Sequence, residues 1–265
     1  MANRKNTTRN AKKANVLANF LEKIEANRKL KYDIIMRPDQ MRISFEFAGI
    51  ITFRIADVDY GPFTFSALAH DQLAAFTGIP ACYYNRLLAE APELLVSHTN
   101  SWLRRMPDEQ KLMIRTMNGK LSAILPFDFG RIDNEAVADV TLQSVYGNQG
   151  GGIVSADVTE RRMTLVAVAD KIHGSNHAGD KVQAGIRITN SETDEAGTTA
   201  QAILWRPNEN SWEALAPCVH FPHSGKTARE DVADGLRLSV AEAFDRHLFK
   251  SRLASQLASE NRVAA

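Results

Sequence analysis

Cys218, His220 and His223 form the densest group of chemically reactive side chains in this sequence. The spacing Cys-x-His-x-x-His supplies residue types that zinc prefers as ligands, but a structural zinc site needs a fourth ligand. Polar residues of a loop explain the same cluster, so we retain these three residues only as candidate metal ligands and expect no bound metal or other cofactor. The evident further donors lie far away in the sequence: Cys82, which we expect in the core, His70 and His98.

Acidic residues offer a second kind of chemistry, because carboxylates hold the magnesium ions of nucleases. Nothing in their spacing requires such a site, and acidic residues of loops are usually solvated. A metal-dependent nuclease or hydrolase that uses Asp133, Glu192 or His223 is therefore an alternative function. The full set of candidate carboxylates is Asp128, Asp133, Glu192, Asp194 and Glu195.

Nucleophilic and nucleotide-dependent chemistry is not indicated. The chain lacks a Gly-x-Ser-x-Gly signature for an activated serine. The glycine run Gly150–Gly152 is not followed by the Gly-Lys-Ser/Thr ending of a phosphate-binding loop. We predict no catalytic residue and do not favour an enzyme.

Aromatic residues next to cations favour a different function, since single-strand-binding proteins stack bases on aromatic rings inside basic grooves. Tyr83-Tyr84 precedes Arg86, and Trp102 precedes Arg104 and Arg105, although Trp102 is also expected in the core. A basic arm at residues 1–13 contains no acid and could bind phosphates. The predicted nucleic-acid contacts are Arg4, Lys5, Arg9, Lys12, Lys13, Tyr84, Arg86, Arg104, Arg105, Arg115, Lys120, Arg131, Arg161 and Arg162.

A further group of polar residues lies on otherwise apolar segments. One interpretation places His70, Gln72, Asn190 and Glu192 around a groove shared with Arg115. The alternative is a buried hydrogen-bonded network, because buried polar groups need partners.

Composition limits the class of protein. The 265 residues are 44% apolar and carry a formal net charge of +1, which argues against a protein that coats DNA by bulk charge but allows a local basic patch. Two distant cysteines do not form a disulfide framework, and no segment resembles a signal peptide or membrane helix. We expect a cytoplasmic protein with reduced thiols and no membrane partner.

The segment patterns predict an α+β fold with antiparallel or mixed sheets, an N-terminal helix, a central helical segment and a long C-terminal helix. The firmest local prediction is a hairpin of residues 111–117 and 120–125 around Asn118-Gly119, a dipeptide suited to a tight turn. The expected parts are a flexible arm (1–13), an α+β part (14–149) and a β-rich part (150–265) with a helix over 227–259, or one continuous domain.

Several short blocks of sequence carry a resemblance to a known family. The blocks are Ala67–Leu73, Gly78–Pro80, Tyr83-Tyr84, Trp102-Leu103, Ile114–Thr116 with Gly119, Asp157–Thr159, Arg162-Met163, Gly179-Asp180, Ala184-Gly185, Asn190–Glu192 and His223–Gly225. Over about residues 64–226, their order and spacing resemble the phage/plasmid-like domain-of-unknown-function family that includes the prophage proteins YfjQ and YafZ.

The chain departs from that family at two places. It has Ser122-Ala123 where family members tend to carry Arg-Ala, and Trp205–Asn210 where they tend to carry Cys-x-Asn-Gly. The resemblance implies mobile genetic elements, a bacterial cytoplasm and work on DNA, and some such proteins are similar to single-strand annealing proteins.

Together these features predict a phage- or plasmid-type protein that binds single-stranded nucleic acid during replication or recombination, for example in annealing. The apolar stripe of the C-terminal helix could also join subunits, so a homo-oligomer is possible. A non-enzymatic factor that binds a host protein is a further alternative.

Overall fold

The computed structural model describes residues 2–46, 50–56, 60–147, 150–177, 179–193, 196–223 and 229–263, and within these ranges it describes side chains from residue 15 to residue 259. The chain divides into a central unit, residues 26–129, and a terminal unit that combines residues 1–25 with 130–265. Helix α1 (Ala2–Leu30) begins in the terminal unit. No helix in the described part of the chain has the length and apolar character needed to cross a membrane.

A mixed six-stranded sheet forms the centre of the central unit. Its spatial order is β1-β5-β6-β4-β3-β2, and only β4 and β6 pair in parallel. A turn of 3-10 helix, Pro38–Gln40, connects the first two strands. The strands are β1 (Lys31–Met36), β2 (Met41–Phe45), β3 (Ile51–Ile55), β4 (Phe63–Phe65), β5 (Leu112–Met117) and β6 (Lys120–Pro126).

The β5–β6 hairpin confirms the strongest local prediction. Asn118 and Gly119 have φ angles of 49° and 74°, so both central residues of the turn lie in the left-handed region. Asn and Gly tolerate that region best, and two such residues match the twist of the flanking strands. The hairpin therefore places Arg115 opposite Ala123 in the middle of the sheet.

Three helices follow one another beside this sheet: α2 (Ala67–Thr77), α3 (Ala81–Glu90) and α4 (Pro92–Leu103). Helices α2 and α4 pack on its strands, and α3 packs on α2 and α4. Ser66 caps α2 by accepting a hydrogen bond from the Ala69 amide at 3.0 Å. Gly78 ends this helix with a φ of 68°, which a glycine adopts without a steric penalty. Pro92 occupies the first turn of α4, where its missing N–H costs nothing.

The terminal unit contains a second, fully antiparallel sheet. Its order is β11-β10-β9-β8-β7, with β12 paired to the start of β10. The strands are β7 (Gly151–Val158), β8 (Met163–Ser175), β9 (Lys181–Asn190), β10 (Thr198–Arg206), β11 (Ser211–Ala214) and β12 (Val219–Phe221). The α+β class predicted from the sequence is therefore confirmed.

Helices line one face of this second sheet. They are α5 (Asn134–Gly147), α6 (Arg229–Ala243) and α7 (Arg246–Val263). The main core of the unit joins Phe20 of α1, Val137 of α5 and Leu236 of α6 to inward residues of the strands, such as Leu165 and Ile188.

The glycine run does not separate two parts of the chain. Asn148 and Gln149 lie outside the described residues, but Gly151 and Gly152 are buried in β7, inside the terminal unit. A Cβ on Gly151 would lie 2.5 Å from the Phe244 ring and 2.7 Å from the Val168 carbonyl oxygen. Close packing therefore explains why residue 151 is a glycine. The sequence had suggested a flexible joint between residues 149 and 150 instead.

Two other sequence-based expectations change. The single helix expected over 227–259 is divided at Phe244–Asp245, and Asp245 starts α7 by accepting a 2.7 Å hydrogen bond from the Leu248 amide. Thr227 lies outside the described residues. Residues 2–13 of the predicted flexible basic arm are helical, as the beginning of α1.

We expect Gly151→Ala to lower the free energy of unfolding of the terminal unit by about 1–3 kcal/mol, the usual effect of overpacking a tight core. Urea denaturation followed by circular dichroism measures the change. Gly147→Ala is the matched control, because a Cβ there meets no atom within 4 Å. Equal midpoints for the two variants would contradict the packing explanation.

Candidate nucleic-acid interface

One surface of the central unit combines aromatic rings with cations. Leu94, His98 and Trp102 follow one another every four residues along α4, and Tyr83 of α3 and Arg105 adjoin them. We call these five residues the aromatic ridge. Tyr83, Leu94 and Trp102 are among the exposed large apolar side chains, with 49% of Trp102 exposed.

The helical period explains why this row faces solvent. The neighbouring row, Leu95, Thr99 and Leu103, is buried and packs α4 onto the sheet. Residues four positions apart lie on the same face of a helix. The row of Leu94, His98 and Trp102 precedes the buried row by one position, so it lies beside that row and points further toward solvent. The expectation that Trp102 belongs to the core was wrong. Cys82, also expected in the core, is exposed on α3 as a free thiol.

Ring contacts order the aromatic ridge. The Tyr83 and His98 ring centroids lie 6.5 Å apart with an interplanar angle of 34°. The Arg105 Cζ lies 5.8 Å from the centroid of the Trp102 ring, within the range of a cation–π contact. This arrangement holds a guanidinium next to an exposed indole, where the ring can stack on a base and the cation can meet a phosphate.

Asn100 fixes α4 on the sheet. Its Oδ1 accepts a 3.0 Å hydrogen bond from the Ile43 amide, and its Nδ2 donates a 2.7 Å bond to the Ile43 carbonyl oxygen. Because β2 is the edge strand, the amide of Asn100 satisfies the outward backbone groups of Ile43 as a further strand would. The rotation of α4, and hence the direction of the aromatic ridge, follows from this contact.

Tyr84, a predicted nucleic-acid contact, points into the core instead. Only 1% of it is exposed, and its hydroxyl lies 2.9 Å from His70 Nδ1. The His70 ring stacks on Phe65 with centroids 4.8 Å apart. Burial raises the pKa of Tyr84, with a smaller rise from the charge of Asp71. Burial lowers the pKa of His70, and Asp71 partly opposes this effect.

Gln72 and Ser66 attach α2 to β6. Gln72 Oε1 accepts a 2.8 Å hydrogen bond from the Ile124 amide, and Ser66 Oγ donates a 2.9 Å bond to the Ser122 carbonyl oxygen. Both contacts join a helix to a strand of its own core. His70 and Gln72 are thus each held by a separate contact inside the fold, as in the alternative to a binding groove.

Arg115 is likewise unavailable to a nucleic acid. Its Nε and Nη2 each lie 2.7 Å from a carboxylate oxygen of Asp33, the residue directly opposite on β1. The side chain of Arg115 is 1% exposed and that of Asp33 is 12% exposed. A phosphate would have to displace a buried bidentate partner, so the predicted role of Arg115 as a phosphate contact is not supported.

The remaining predicted cations are exposed in two different units. Arg86 pairs with Glu90 at 2.9 Å, whereas Arg104 has no ion-pair partner among the described residues. Exposed members in the central unit are Arg86, Arg104, Arg105 and Lys120, and those in the terminal unit are Arg131, Arg161 and Arg162. The side chains of Arg4, Lys5, Arg9, Lys12 and Lys13 lie outside the described residues.

Asn190 and Glu192 belong to a buried polar cluster in the terminal unit, whereas His70, Gln72 and Arg115 belong to the central unit. Thr198 Oγ1 donates to Asn190 Oδ1 at 2.6 Å and lies 2.9 Å from His223 Nε2. Asn190 Nδ2 donates to Asn134 Oδ1 at 2.9 Å. The cluster therefore connects β9 and β10 to the start of α5 and to His223.

Glu192 completes this cluster at a helix terminus. Its Oε1 accepts a hydrogen bond from the Asn134 amide at 2.5 Å, and a carboxylate is favourable at the N-terminus of α5. Glu192 is buried, as are Asn190 and His223. These contacts explain the polar residues as supports of the fold.

The Cys-x-His-x-x-His group does not converge. His220 Nε2 lies 2.8 Å from the Ala196 carbonyl oxygen at the surface, while His223 is buried against Thr198. Cys218 is exposed as a free thiol. Among the described residues, no three His, Cys, Asp or Glu side chains group as a metal site would require, and Asp194 and Glu195 lie outside that range.

Sequence reasoning missed part of the aromatic ridge. The sequence analysis considered His98 only as a possible metal ligand and did not consider Leu94. The four-residue spacing of Leu94, His98 and Trp102 nevertheless places them in one row along a helix. In a second cation–π contact, Arg187 Cζ lies 4.9 Å from the centroid of the Trp212 ring. The two residues lie on strands that are distant in the sequence, so no local sequence pattern predicts this contact.

Comparisons with family models, curated proteins and solved structures found no match to this chain.

We expect Arg115→Met to lower the free energy of unfolding by about 3–5 kcal/mol, because it removes the guanidinium that lies 2.7 Å from both oxygens of the largely buried Asp33 carboxylate. Chemical denaturation measures the loss. The double variant Asp33→Leu with Arg115→Met removes both charges and should recover most of the stability. A stable Arg115→Met protein would contradict the buried ion pair.

Stability should fall as the pH decreases from about 7 toward 5, because the folded state holds the pKa of His70 below its unfolded value of about 6.5. The unfolded chain then binds the proton more readily than the folded protein. The contribution of His70 to stability is therefore fully present above its unfolded pKa, and it is lost as the pH falls from there through the folded pKa. Thermal denaturation across this range should show a smaller slope for His70→Gln. A slope that His70→Gln leaves unchanged would contradict this account.

Proposed function

We propose that this protein binds single-stranded DNA, with the aromatic ridge as the stacking surface and a role in replication or recombination such as strand annealing. The observation that carries the proposal is the exposed indole of Trp102 with the Arg105 guanidinium 5.8 Å from its centroid. An exposed tryptophan ring is unfavourable to solvate, and such a ring next to a cation suits a base and its phosphate.

The form of the ridge favours single strands over duplex DNA. Tyr83, His98 and Trp102 present ring surfaces on one side of the helical pair α3–α4. The faces of bases are accessible in a single strand and are covered by their neighbours in a duplex. Stacking is worth about 1–3 kcal/mol per base and tolerates any base, so this contact supplies affinity without sequence preference.

Charge along the chain supports the same function. Residues 2–13 contain five cations and no acid, and the whole chain has a net charge of +1, so the remaining residues carry −4. The first part of α1 therefore supplies most of the non-specific phosphate binding, and Arg105 adds a local contact beside Trp102. A basic segment combined with a stacking surface elsewhere is sufficient for sequence-independent binding.

The resemblance to proteins of mobile genetic elements supports a setting in phage or plasmid biology and in the bacterial cytoplasm. Annealing would require several copies on one strand, which a homo-oligomer would provide. No nucleotide cofactor or metal takes part in this mechanism, because binding uses only stacking and phosphate neutralisation.

Trp102→Ala should weaken the binding of a fluorescein-labelled oligothymidylate by about 5- to 150-fold, the equivalent of one lost stacking contact. Fluorescence anisotropy at low salt measures the affinity. Trp212→Ala is the matched control, because it removes another exposed tryptophan ring that also lies next to a cation, Arg187, but does not belong to the aromatic ridge. Absence of binding by the unaltered protein, or equal affinities for the two variants, would refute the proposal.

Deletion of residues 2–13 should reduce the salt dependence of binding. Each lost phosphate contact changes the slope of log K against log salt by about 0.7 for single strands, so five cations account for a change of about 3–4. An unchanged slope would contradict the role given to α1. Magnesium-dependent cleavage of the oligonucleotide that disappears in Asp133→Ala would favour the nuclease alternative.

A further inference from the structure

The two ends of the aromatic ridge differ in charge. Leu94 lies at one end, in the first turn of α4, and Trp102 lies further along the same helix, at a rise of about 12 Å. Arg104 and Arg105 follow directly after α4, and neither has an ion-pair partner among the described residues. The end of the aromatic ridge at Trp102 therefore offers two positive charges to the phosphates of a strand.

Two acidic residues follow these arginines in the sequence without pairing with them. Asp108 and Glu109 form no ion pair with either arginine in the part of the chain that the structure describes. The charge of Asp108 instead acts on Arg37. No close ion pair thus cancels the two positive charges beside Trp102.

The opposite end of the aromatic ridge is acidic. Glu90 ends α3 and Glu93 lies in the first turn of α4, and both side chains are exposed. A single residue, Ala91, ends the first helix and begins the second, so the two carboxylates extend from adjoining helix ends. Glu90 pairs with Arg86 at 2.9 Å, whereas Glu93 has no ion-pair partner among the described residues. Glu93 therefore leaves a net negative charge beside Leu94.

The backbone at this acidic end offers little to an anion. A helix N-terminus usually attracts a phosphate through its free N–H groups. Pro92 has no N–H, and the amides of Leu94 and Leu95 both donate to the Ala91 carbonyl oxygen, at 3.1 and 3.2 Å. The Glu93 amide remains, and it lies next to a carboxylate. The C-terminus of α3 adds the negative end of a helix dipole.

We propose that the aromatic ridge holds the hydroxyl end of a single strand, with the terminal nucleotide at Leu94 and the following phosphates at Arg104 and Arg105. This inference rests on the proposed binding of single-stranded DNA. A strand that continued past Leu94 would bring a phosphate to Glu93, and like charges repel each other. A terminal hydroxyl group carries no charge and donates a hydrogen bond to that carboxylate.

Four oligothymidylates of equal length distinguish a strand end from a strand interior. One has hydroxyl groups at both ends, one has a 5′-phosphate, one has a 3′-phosphate, and one is closed into a circle. The indole N–H signal of Trp102 in the full-length protein reports occupancy of the aromatic ridge. The strand with two hydroxyl ends should bind about twofold to fivefold more tightly than the circle, the effect of one exposed pair of like charges. The terminal phosphate that weakens binding identifies which end, 5′ or 3′, lies at Leu94.

The variant Glu93→Gln tests the source of this preference, because it removes the negative charge and keeps the size of the side chain. It should abolish the preference by strengthening the binding of the circle about twofold to fivefold. Glu109→Gln is the matched control, since it removes an exposed carboxylate that follows the other end of the aromatic ridge. This control should leave the preference unchanged.

The outcomes separate this inference from the proposed function. Equal half-saturation of the Trp102 signal by all four strands would overturn the inference and leave the proposed function intact, as would a preference that Glu93→Gln does not alter. A Trp102 signal that no strand shifts would refute both. The Glu93→Gln protein should fold normally, because this side chain is exposed and loses no ion pair with another described residue.

Discussion

The pair of hydrogen bonds between Asn100 and the backbone of Ile43 determines how the central unit presents its surface. An edge strand has backbone groups that need partners, and here one side-chain amide supplies both a donor and an acceptor, at 2.7 and 3.0 Å. That contact fixes the rotation of α4 about its axis. With the row of Leu95, Thr99 and Leu103 turned inward, the row of Leu94, His98 and Trp102 must lie outside.

The same constraint separates the two adjacent tyrosines. Successive residues of a helix point about 100° apart, so Tyr84 enters the core toward His70 while Tyr83 faces His98 at the surface. Tyr84 stabilises the packing of α3 against α2, and Tyr83 stays at the surface. Helix packing therefore positions the four ridge residues that lie on α3 and α4, and Arg105 follows in the turn after α4.

Local rules predicted much of the fold. The hairpin at Asn118-Gly119 and the termini of α2 follow from residues whose backbone preferences act within a few positions. The features that the sequence did not reveal depend on contacts in the core between residues that are distant in the sequence. Arg115 appeared to be one cation of a track, but its partner Asp33 lies 82 positions away, and Gly151 is a glycine because Phe244 packs on it.

Of the candidate site, the sequence showed the aromatic and basic residue types but could not say which of them face solvent. Trp102 was expected in the core but is exposed, whereas Tyr84 was expected at the surface but is buried. Hydropathy does not distinguish the inward from the outward row of side chains at the edge of the apolar face of a helix. The polar residues Asn190, Glu192 and His223 looked chemically active and instead connect strands to helix starts. Buried polar residues need partners, and the partners came from distant segments.

The indole N–H signals of Trp102, Trp205 and Trp212 in a ¹H–¹⁵N spectrum test the central claim most directly. Addition of unlabelled oligothymidylate should shift the Trp102 signal in proportion to the fraction bound, while the signal of Trp205, which is buried, stays in place. A Trp102 signal that does not move while anisotropy reports a bound strand would show that the aromatic ridge is not the stacking surface.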